Sequence, residues 1–330
     1  MNPGKGTVVD RISVMGRLVA GVVAVLGFVP VESLVLVLMR GGAVTSVMRG
    51  DLADPGWAVH AEHVADLVLR SGSDGVIAVV VSEQGAMCSV RVAEFESLVG
   101  VVSAALRQRG SRVLDAVVVD RIEAGGCWRR LDDVLVSGVL DEDPASSVFA
   151  VAAVVEGRRM YGSREELVAF VDSDSERVAA LAPLVSGAGG AGEPVEVSVR
   201  RVVAAARRMA AGTAPDDGEL AAVGATLTDV RIRDALLGLA VGEDAAAAEA
   251  LWALLARVLP DPFRVEALVL LAASAYARGD GPLAGVSLGA ALSADPCHRL
   301  AGLLDVALTG GVRPEEVRVV IAKAAAAVTV

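Results

Sequence analysis

The segment Ser33-Leu34-Val35-Leu36-Val37-Leu38-Met39-Arg40, followed by Gly41-Gly42 and then by Ala43 to Leu52, decides how the N-terminal half of this chain folds. The first run is rich in leucine and valine, which favour a buried β-strand. The two glycines supply the positive φ angles that a tight turn needs. Because the second run returns as a strand, the segment predicts a β-hairpin.

Alternating strand and helix signals surround this hairpin. Helices are predicted over Ile12 to Val25, Trp57 to Arg70 and Arg91 to Arg109, and buried strands over Gly75 to Ser82 and Arg112 to Asp120. This order is typical of a layered α/β domain with right-handed crossovers between parallel strands. We therefore expect a mixed sheet of four or five strands with helices on its faces.

The second half of the chain shows helix signals in place of the alternating strand and helix signals. From Pro144 onward strand signals nearly vanish and alanine-rich helical segments dominate, which predicts an α/β domain over 1–143 and an all-α domain over 144–330. The glycine-rich segment 186–193 has linker composition and predicts a flexible break. Its glycines formally match a dinucleotide-binding pattern, but they follow a helix end instead of a strand, so we predict no cofactor.

Several short motifs resemble those of an actinobacterial family known only as a domain of unknown function. They are Leu26-Gly27-Phe28 with Pro30 and Ser33 to Val37, Arg49-Gly50-Asp51-Leu52, Ser163-Arg164-Glu165-Glu166-Leu167, Gly279-Asp280-Gly281 and Asp295-Pro296. The resemblance covers nearly the whole chain and implies no particular activity. Many members look cysteine-rich just after the position of Trp128, whereas Leu131 to Gly138 contains no cysteine here. A metal or redox role for that segment is therefore not implied.

Charge and cysteine content exclude some classes of function. The net charge is −11 and the pI is near 4.9, which argues against a nucleic-acid partner. The three cysteines are widely spaced and odd in number, so they do not suggest a disulfide framework and instead indicate a reducing compartment. The apolar run Leu18 to Val29 is shorter than the roughly 20 residues that span a membrane. We expect a cytoplasmic protein without a membrane partner.

Four side chains are candidates for a ligand site at one edge of the predicted sheet. Arg49, Asp51, Asp120 and Trp128 lie at or just beyond predicted strand ends, where open α/β sheets bind their ligands. The alternative is that these residues bind no ligand: Arg49 and Asp51 lie at a strand edge, and Trp128 packs under a loop. No catalytic residue can be assigned, because the sequence contains no Walker loop, nucleophile elbow or H-E-x-x-H motif.

The predicted helix Trp57 to Arg70 carries three residues of metal-ligating type on one face. His60 and His63 lie about one helical turn apart, and Asp66 continues the same face. A solvated helix surface explains the same residues, so we predict no metal.

Near the C-terminus, small and apolar residues fall in the register of a tetratricopeptide repeat: Ala267, Leu271, Ala272, Gly279, Ala284, Leu288, Ala291 and Pro296. They predict two antiparallel helices joined at Gly279-Asp280-Gly281. A solenoid needs about three stacked repeats before it forms a peptide groove, and no second clear copy follows. Structural packing of a helical hairpin is therefore favoured over a dedicated peptide groove.

We interpret the chain as a non-catalytic protein-interaction or regulatory module whose partner binds the helical C-terminal half. The alternative is a small-molecule-binding protein or an enzyme with a site at the carboxyl edge of the N-terminal sheet. A third interpretation is homo-oligomerisation through self-complementary alanine-rich helices. Enzymatic activity is left open, although the absence of familiar catalytic motifs argues against it.

Overall fold

A computed structural model describes residues 8–85, 88–133, 135–141, 143–155, 157–188 and 193–328. Contacts between Cα atoms divide the chain into two compact units, Met1–Arg164 and Glu165–Val330. The N-terminal unit contains a sheet with helices, and the C-terminal unit contains helices, so the predicted combination of an α/β domain and an all-α domain is confirmed.

The N-terminal unit is built on one mixed sheet. Its strands are β1 (Ser33–Arg40), β2 (Ala43–Asp51), β3 (Gly75–Val81), β4 (Val113–Val119), β5 (Cys127–Arg130) and β6 (Ser137–Val139). They are arranged in the order β2-β1-β3-β4-β5-β6. Gly41 and Gly42 adopt φ angles of 57° and 82° in the β1–β2 turn, as the hairpin prediction requires. β3 is buried along its whole length at the centre of the sheet.

Two helices cover one face of this sheet for a topological reason. β1 pairs antiparallel with both β2 and β3, and β3 pairs parallel with β4, so β2, β3 and β4 point the same way. Helix α2 (Trp57–Ser71) connects β2 to β3, and α3 (Ser89–Gln108) connects β3 to β4. Both crossovers advance in one direction, and right-handed crossovers then place both helices on the same face. They pack against each other and share one apolar core with the strands.

A helix near the N-terminus covers the opposite face of the sheet. Helix α1 (Val8–Leu26) packs against β6, against a 3-10 turn at Pro144–Ser146 and against helix α4 (Val148–Val155). This packing explains why the first unit extends to Arg164, beyond the boundary at 143 expected from the loss of strand signals. The segment from Pro144 to Val155 is helical, but it packs against α1 in the N-terminal unit.

The C-terminal unit consists of helices in its described residues. They are α5 (Arg164–Ala169, beginning at the unit boundary), α6 (Ser175–Gly187), α7 (Val195–Ala210), α8 (Asp217–Thr226), α9 (Val230–Leu237), α10 (Ala245–Val258), α11 (Phe263–Arg278), α12 (Gly281–Ala294), α13 (Arg299–Thr309) and α14 (Pro314–Val328), with a 3-10 turn at Gly238–Val241. α11 is central: twelve of its sixteen residues are buried. Residues 189–192 of the predicted glycine-rich break lie outside the described residues.

The predicted C-terminal hairpin corresponds to α11 and α12. Gly279 ends α11 in the left-handed conformation, and the Asp280 carboxylate caps α12 by accepting a hydrogen bond from the Leu283 amide. α13 follows and places Leu308 against Gly281 and Gly285 of α12. Within the part of the chain that the structure describes, no helix combines the length and apolar character needed to cross a membrane.

Candidate functional site

Five strands of the N-terminal sheet end or begin at one common edge. Because β2, β3 and β4 are parallel, their carboxyl ends lie there, together with the first residues of the antiparallel strands β1 and β5. The pairing runs from Asp51 to Ser33, then to Val81, Val119 and Trp128 in successive strands. We call this the carboxyl edge, the position where open α/β sheets bind ligands.

Two of the four predicted site residues form a pair at the outer end of this edge. The Arg49 guanidinium contacts the Asp51 carboxylate at 2.6 Å and donates from Nε to Ser33 Oγ at 2.8 Å. Asp51 is itself largely exposed. The hydrogen bond to Ser33 connects the end of edge strand β2 to the start of β1, whereas the ion pair lies within β2.

The other two predicted residues lie elsewhere. Asp120 follows β4, three strand spacings or roughly 14 Å from β2, and its carboxylate accepts hydrogen bonds from the amides of Arg121 and Cys127. Trp128 is 2% exposed, and its indole ring lies near Gly16 on the α1 side of the sheet. The structure therefore brings Arg49 and Asp51 together, but it does not bring all four side chains into one cluster.

The histidines of α2 have local partners. His60 Nε2 lies 3.1 Å from the Asp54 carboxylate, and Asp66 accepts a hydrogen bond from Arg109. Among the residues described, no group of three or more His, Cys, Asp or Glu side chains is arranged to hold a metal ion.

A different polar cluster lies between β1 and β3 at the carboxyl edge. The Glu32 carboxylate accepts hydrogen bonds from Ser82 Oγ at 2.8 Å, from the Glu83 amide at 3.2 Å and from Arg91 Nη2 at 3.2 Å. Glu32 directly precedes β1, Ser82 directly follows β3, and Arg91 lies in the first turn of α3. We call Glu32, Ser82 and Arg91 the edge cluster.

The backbone of Glu32 is held in an unfavourable conformation. Its φ angle is 40°, and it is the only non-glycine residue with a positive φ in the described part of the chain. In this conformation the Glu32 carbonyl accepts a hydrogen bond from the Leu52 amide. A residue with a side chain in the left-handed region costs about 1–3 kcal/mol, and such residues concentrate at functional sites.

The side chains of the edge cluster remain accessible. The Glu32 side chain is 45% exposed and that of Arg91 is 39% exposed. Arg91 makes two long contacts, with Glu32 at 3.2 Å and with Glu94 at 3.5 Å, while its Nε is buried and has no hydrogen-bond acceptor among the described residues. The guanidinium also lies over the Phe95 ring. A half-exposed carboxylate and a partly exposed guanidinium are therefore side by side at the edge.

Cys88 lies next to the edge cluster in the chain, at the N-terminal cap position of α3. Its thiol is exposed and makes no capping hydrogen bond. The backbone amides of Arg91 and Val90 nevertheless lower its pKa, and the positive charge of Arg91 lowers the pKa further. The N-terminus of a helix stabilises a thiolate in this way.

We expect Cys88 to react as a thiolate at lower pH in the folded protein than in the unfolded chain. A variant with Cys127 and Cys297 replaced by serine isolates this thiol, and its rate of alkylation by iodoacetamide can be followed against pH with and without urea. Because the folded pKa is depressed, the half-maximal rate falls at lower pH without urea. The same depression contributes stability that is present above the unfolded pKa and is lost as the pH falls through the folded pKa. Equal midpoints in the two conditions would contradict this assignment.

None of the three residues of the edge cluster was predicted as a site residue from the sequence. One signal was available, because Ser82 follows a buried strand just as Asp120 does. Glu32 could be identified only from the order of the strands, since β1 is antiparallel to its neighbours and therefore begins where β3 ends. Arg91 was expected at the start of a helix, but its reach toward β1 depends on how α3 packs.

Together, the fold and this edge define a two-unit protein: a sheet covered by α2 and α3 on one face, with a charged cluster at its carboxyl edge, and a separate helical unit. The chain belongs to the family described as "Domain of unknown function (DUF4192)", whose model matches residues 16–315. The expected membership of a family of unknown function is thereby confirmed. No curated protein and no solved structure matches the chain.

Proposed function

We propose that the N-terminal unit binds a small zwitterionic molecule at the carboxyl edge, with Glu32 facing its positive group and Arg91 facing its negative group. Free amino acids are the simplest molecules of this class. The observation that carries the proposal is the positive φ of Glu32, which holds a half-exposed carboxylate beside Arg91 at a backbone cost.

The chemistry of the edge cluster supports this class of ligand. A primary ammonium group would donate to the Glu32 carboxylate. A carboxylate would accept from the Nη groups of Arg91, whose side chain is 39% exposed, as carboxylates bound by guanidinium groups commonly do. Ser82 is fully buried and already accepts a hydrogen bond from the Gly85 amide while donating to Glu32. Ser82 therefore orients Glu32, and the ligand contacts the two charged side chains, Glu32 and Arg91.

Protein interaction through the C-terminal unit is the second candidate function. The α11 residues of the repeat-like hairpin are buried in their own unit, which favours structural packing of that hairpin. Exposed leucine and valine side chains occur instead on α13, at Leu303 and Val306. The tetratricopeptide likeness, an actinobacterial origin and a cytoplasmic location stay predictions from the sequence.

The proposal is tested by ligand-observed NMR of the full chain with each of the twenty free amino acids at millimolar concentration. We expect saturable binding by at least one of them. The hit must bind more weakly when its amine is acetylated or its carboxylate is converted to an amide, because each change removes one charge. Binding by none of the twenty, or equal binding of the blocked derivatives, would contradict the proposal.

A further inference from the structure

A nearly buried histidine caps helix α13 in the C-terminal unit. The side chain of His298 is 9% exposed. Its Nδ1 accepts a hydrogen bond from the Ala301 amide at 3.1 Å, in the first turn of α13. On the other side of the ring, Nε2 lies 3.3 Å from the Glu266 carboxylate of α11. One imidazole ring thus connects the first turn of α13 to the central helix of the unit.

These two contacts determine which ring nitrogen carries a hydrogen. The Ala301 amide can only donate, so Nδ1 accepts and is unprotonated. In the neutral ring the hydrogen is then on Nε2, which donates to Glu266. A second proton would bind to Nδ1 and would remove the acceptor that the Ala301 amide uses. Nε2 keeps its hydrogen in both forms, so protonation breaks the contact with α13 and preserves the contact with α11.

The other side-chain caps described in the C-terminal unit are provided by aspartates. They begin α6, α8, α9 and α12, and are Asp174, Asp216, Asp229 and Asp280. A carboxyl group keeps an acceptor oxygen whether or not it binds a proton, whereas an imidazole that binds a second proton has no acceptor left. Among these five caps, the cap of α13 is therefore the one that protonation removes.

From this arrangement we infer that His298 is a proton-dependent cap that regulates the packing of α13. The neutral ring holds the first turn of α13, and the protonated ring releases it. Histidine is the side chain whose charge ordinarily changes between about pH 5 and pH 8, so the release belongs to that range. Because α13 packs on α12, its release loosens the cover of the α11–α12 hairpin. The inference concerns the C-terminal unit and does not depend on amino-acid binding at the edge cluster.

The charged groups nearest the ring come from α9 and α11 and have opposite signs. Glu266 would attract a positive imidazole, but its carboxylate also lies 3.4 Å from the guanidinium of Arg233, which is 12% exposed. Asp234 contacts the same guanidinium at 2.8 Å. The amide end of α13 repels a positive charge. Arg233 therefore already occupies the carboxylate of Glu266 before His298 binds a proton.

The elements on either side of His298 in the chain add few charges. α12 contains no charged residue between Gly281 and Ala294. In the connection between α12 and α13, the Asp295 carboxylate accepts a hydrogen bond from the Cys297 amide. Arg299, the first residue of α13, is exposed. Glu266 is thus the acidic group in direct contact with the imidazole.

Nitrogen NMR of the full chain, labelled with ¹⁵N in histidine only, tests the protonation states directly. The chain contains three histidines, so the loss of signals in His298→Asn identifies those of His298. We expect Nδ1 to be unprotonated and Nε2 protonated at about pH 8, and both nitrogens to be protonated at about pH 5.

Hydrogen exchange of the Ala301 amide tests the release of α13. Protection factors divide out the intrinsic effect of pH on exchange. In the wild type we expect the protection factor to fall about fivefold as His298 is protonated, which is the size of a typical N-cap contribution. The Leu283 amide, capped by Asp280 in the same unit, should keep its protection over the same range.

His298→Asn is the matched variant. Asparagine is among the best N-terminal caps and keeps its acceptor at every pH, so α13 stays capped and the Ala301 amide should show no change in protection. Glu266 retains its contact with Arg233 in this variant. A difference in pH response between the wild type and His298→Asn therefore reports on the imidazole itself.

Four results would overturn the inference. The first is a protonated Nδ1 at about pH 8, and the second is a ring that stays neutral down to about pH 5. The third is an Ala301 amide whose protection stays constant while His298 is protonated. The fourth is an equal loss of protection in His298→Asn, which would assign the effect to another group. None of these results depends on whether the edge cluster binds an amino acid.

Discussion

Glu32→Gln is expected to weaken binding of the amino acid by about 10–100-fold while leaving the fold intact. A hydrogen bond to a charged group contributes about 1.5–3 kcal/mol, and about 1.4 kcal/mol corresponds to a tenfold change in affinity. The glutamine can still accept hydrogen bonds from Ser82 and from the Glu83 amide. It loses only the half-exposed ion pair with Arg91, which costs roughly 0–1 kcal/mol of stability. Isothermal titration and a thermal melt measure the two effects separately.

Glu83→Gln is the matched control for this variant. Glu83 is the next residue after Ser82, is exposed, and contributes its backbone amide but no side-chain contact to the edge cluster. The substitution removes the same charge from the same edge of the sheet. Equal loss of affinity in both variants would mean that the general negative potential of the edge attracts the ligand, and that Glu32 makes no specific contact.

Leu271→Ala is expected to destabilise the C-terminal unit by about 2–5 kcal/mol, the usual cost of replacing a buried leucine by alanine. Leu271 is fully buried in α11, which packs against α8, α9, α10, α12, α13 and α14. The cavity left at this position would be surrounded by helices on several sides and could collapse only in part. Urea unfolding, followed by circular dichroism, measures the loss.

The control for this second prediction is Leu303→Ala on α13. Leu303 is 61% exposed, so the substitution should change the free energy of unfolding by less than about 0.5 kcal/mol. A small effect of Leu271→Ala, similar to that of Leu303→Ala, would contradict the central position of α11. It would also restore the possibility that the α11–α12 hairpin presents a binding surface.

Much of the fold could be predicted because long elements carry strong local signals. The β1 bounds agree with the sequence prediction, and Gly41-Gly42 make the expected turn. β5 and β6 were not predicted, since strands of four and three residues are too short to show a pattern. The sheet consequently has six strands instead of four or five.

The boundary between the units illustrates a second limit of local signals. The composition changes near Pro144, where strands give way to helices. Packing decides the boundary, however, and the segment from Pro144 to Val155 packs on α1 in the N-terminal unit. Which unit a helix joins depends on contacts with residues more than a hundred positions away. Amino-acid composition alone does not reveal such contacts.

The edge cluster depends on long-range structure even more strongly. Glu32 lies fifty residues before Ser82 and fifty-nine before Arg91, and the three meet because β1 is inserted between β2 and β3. The four residues predicted as candidates all lie at the ends of predicted strands. A residue at the beginning of an antiparallel strand reaches the same edge.

The most direct test of the proposed function is one comparative titration. The amino acid that binds most tightly to the wild-type chain is titrated into the wild type, Glu32→Gln and Glu83→Gln, and the three dissociation constants are compared. We predict similar values for the wild type and Glu83→Gln, and a value about 10–100-fold higher for Glu32→Gln. An unchanged dissociation constant for Glu32→Gln would contradict a ligand site at the edge cluster.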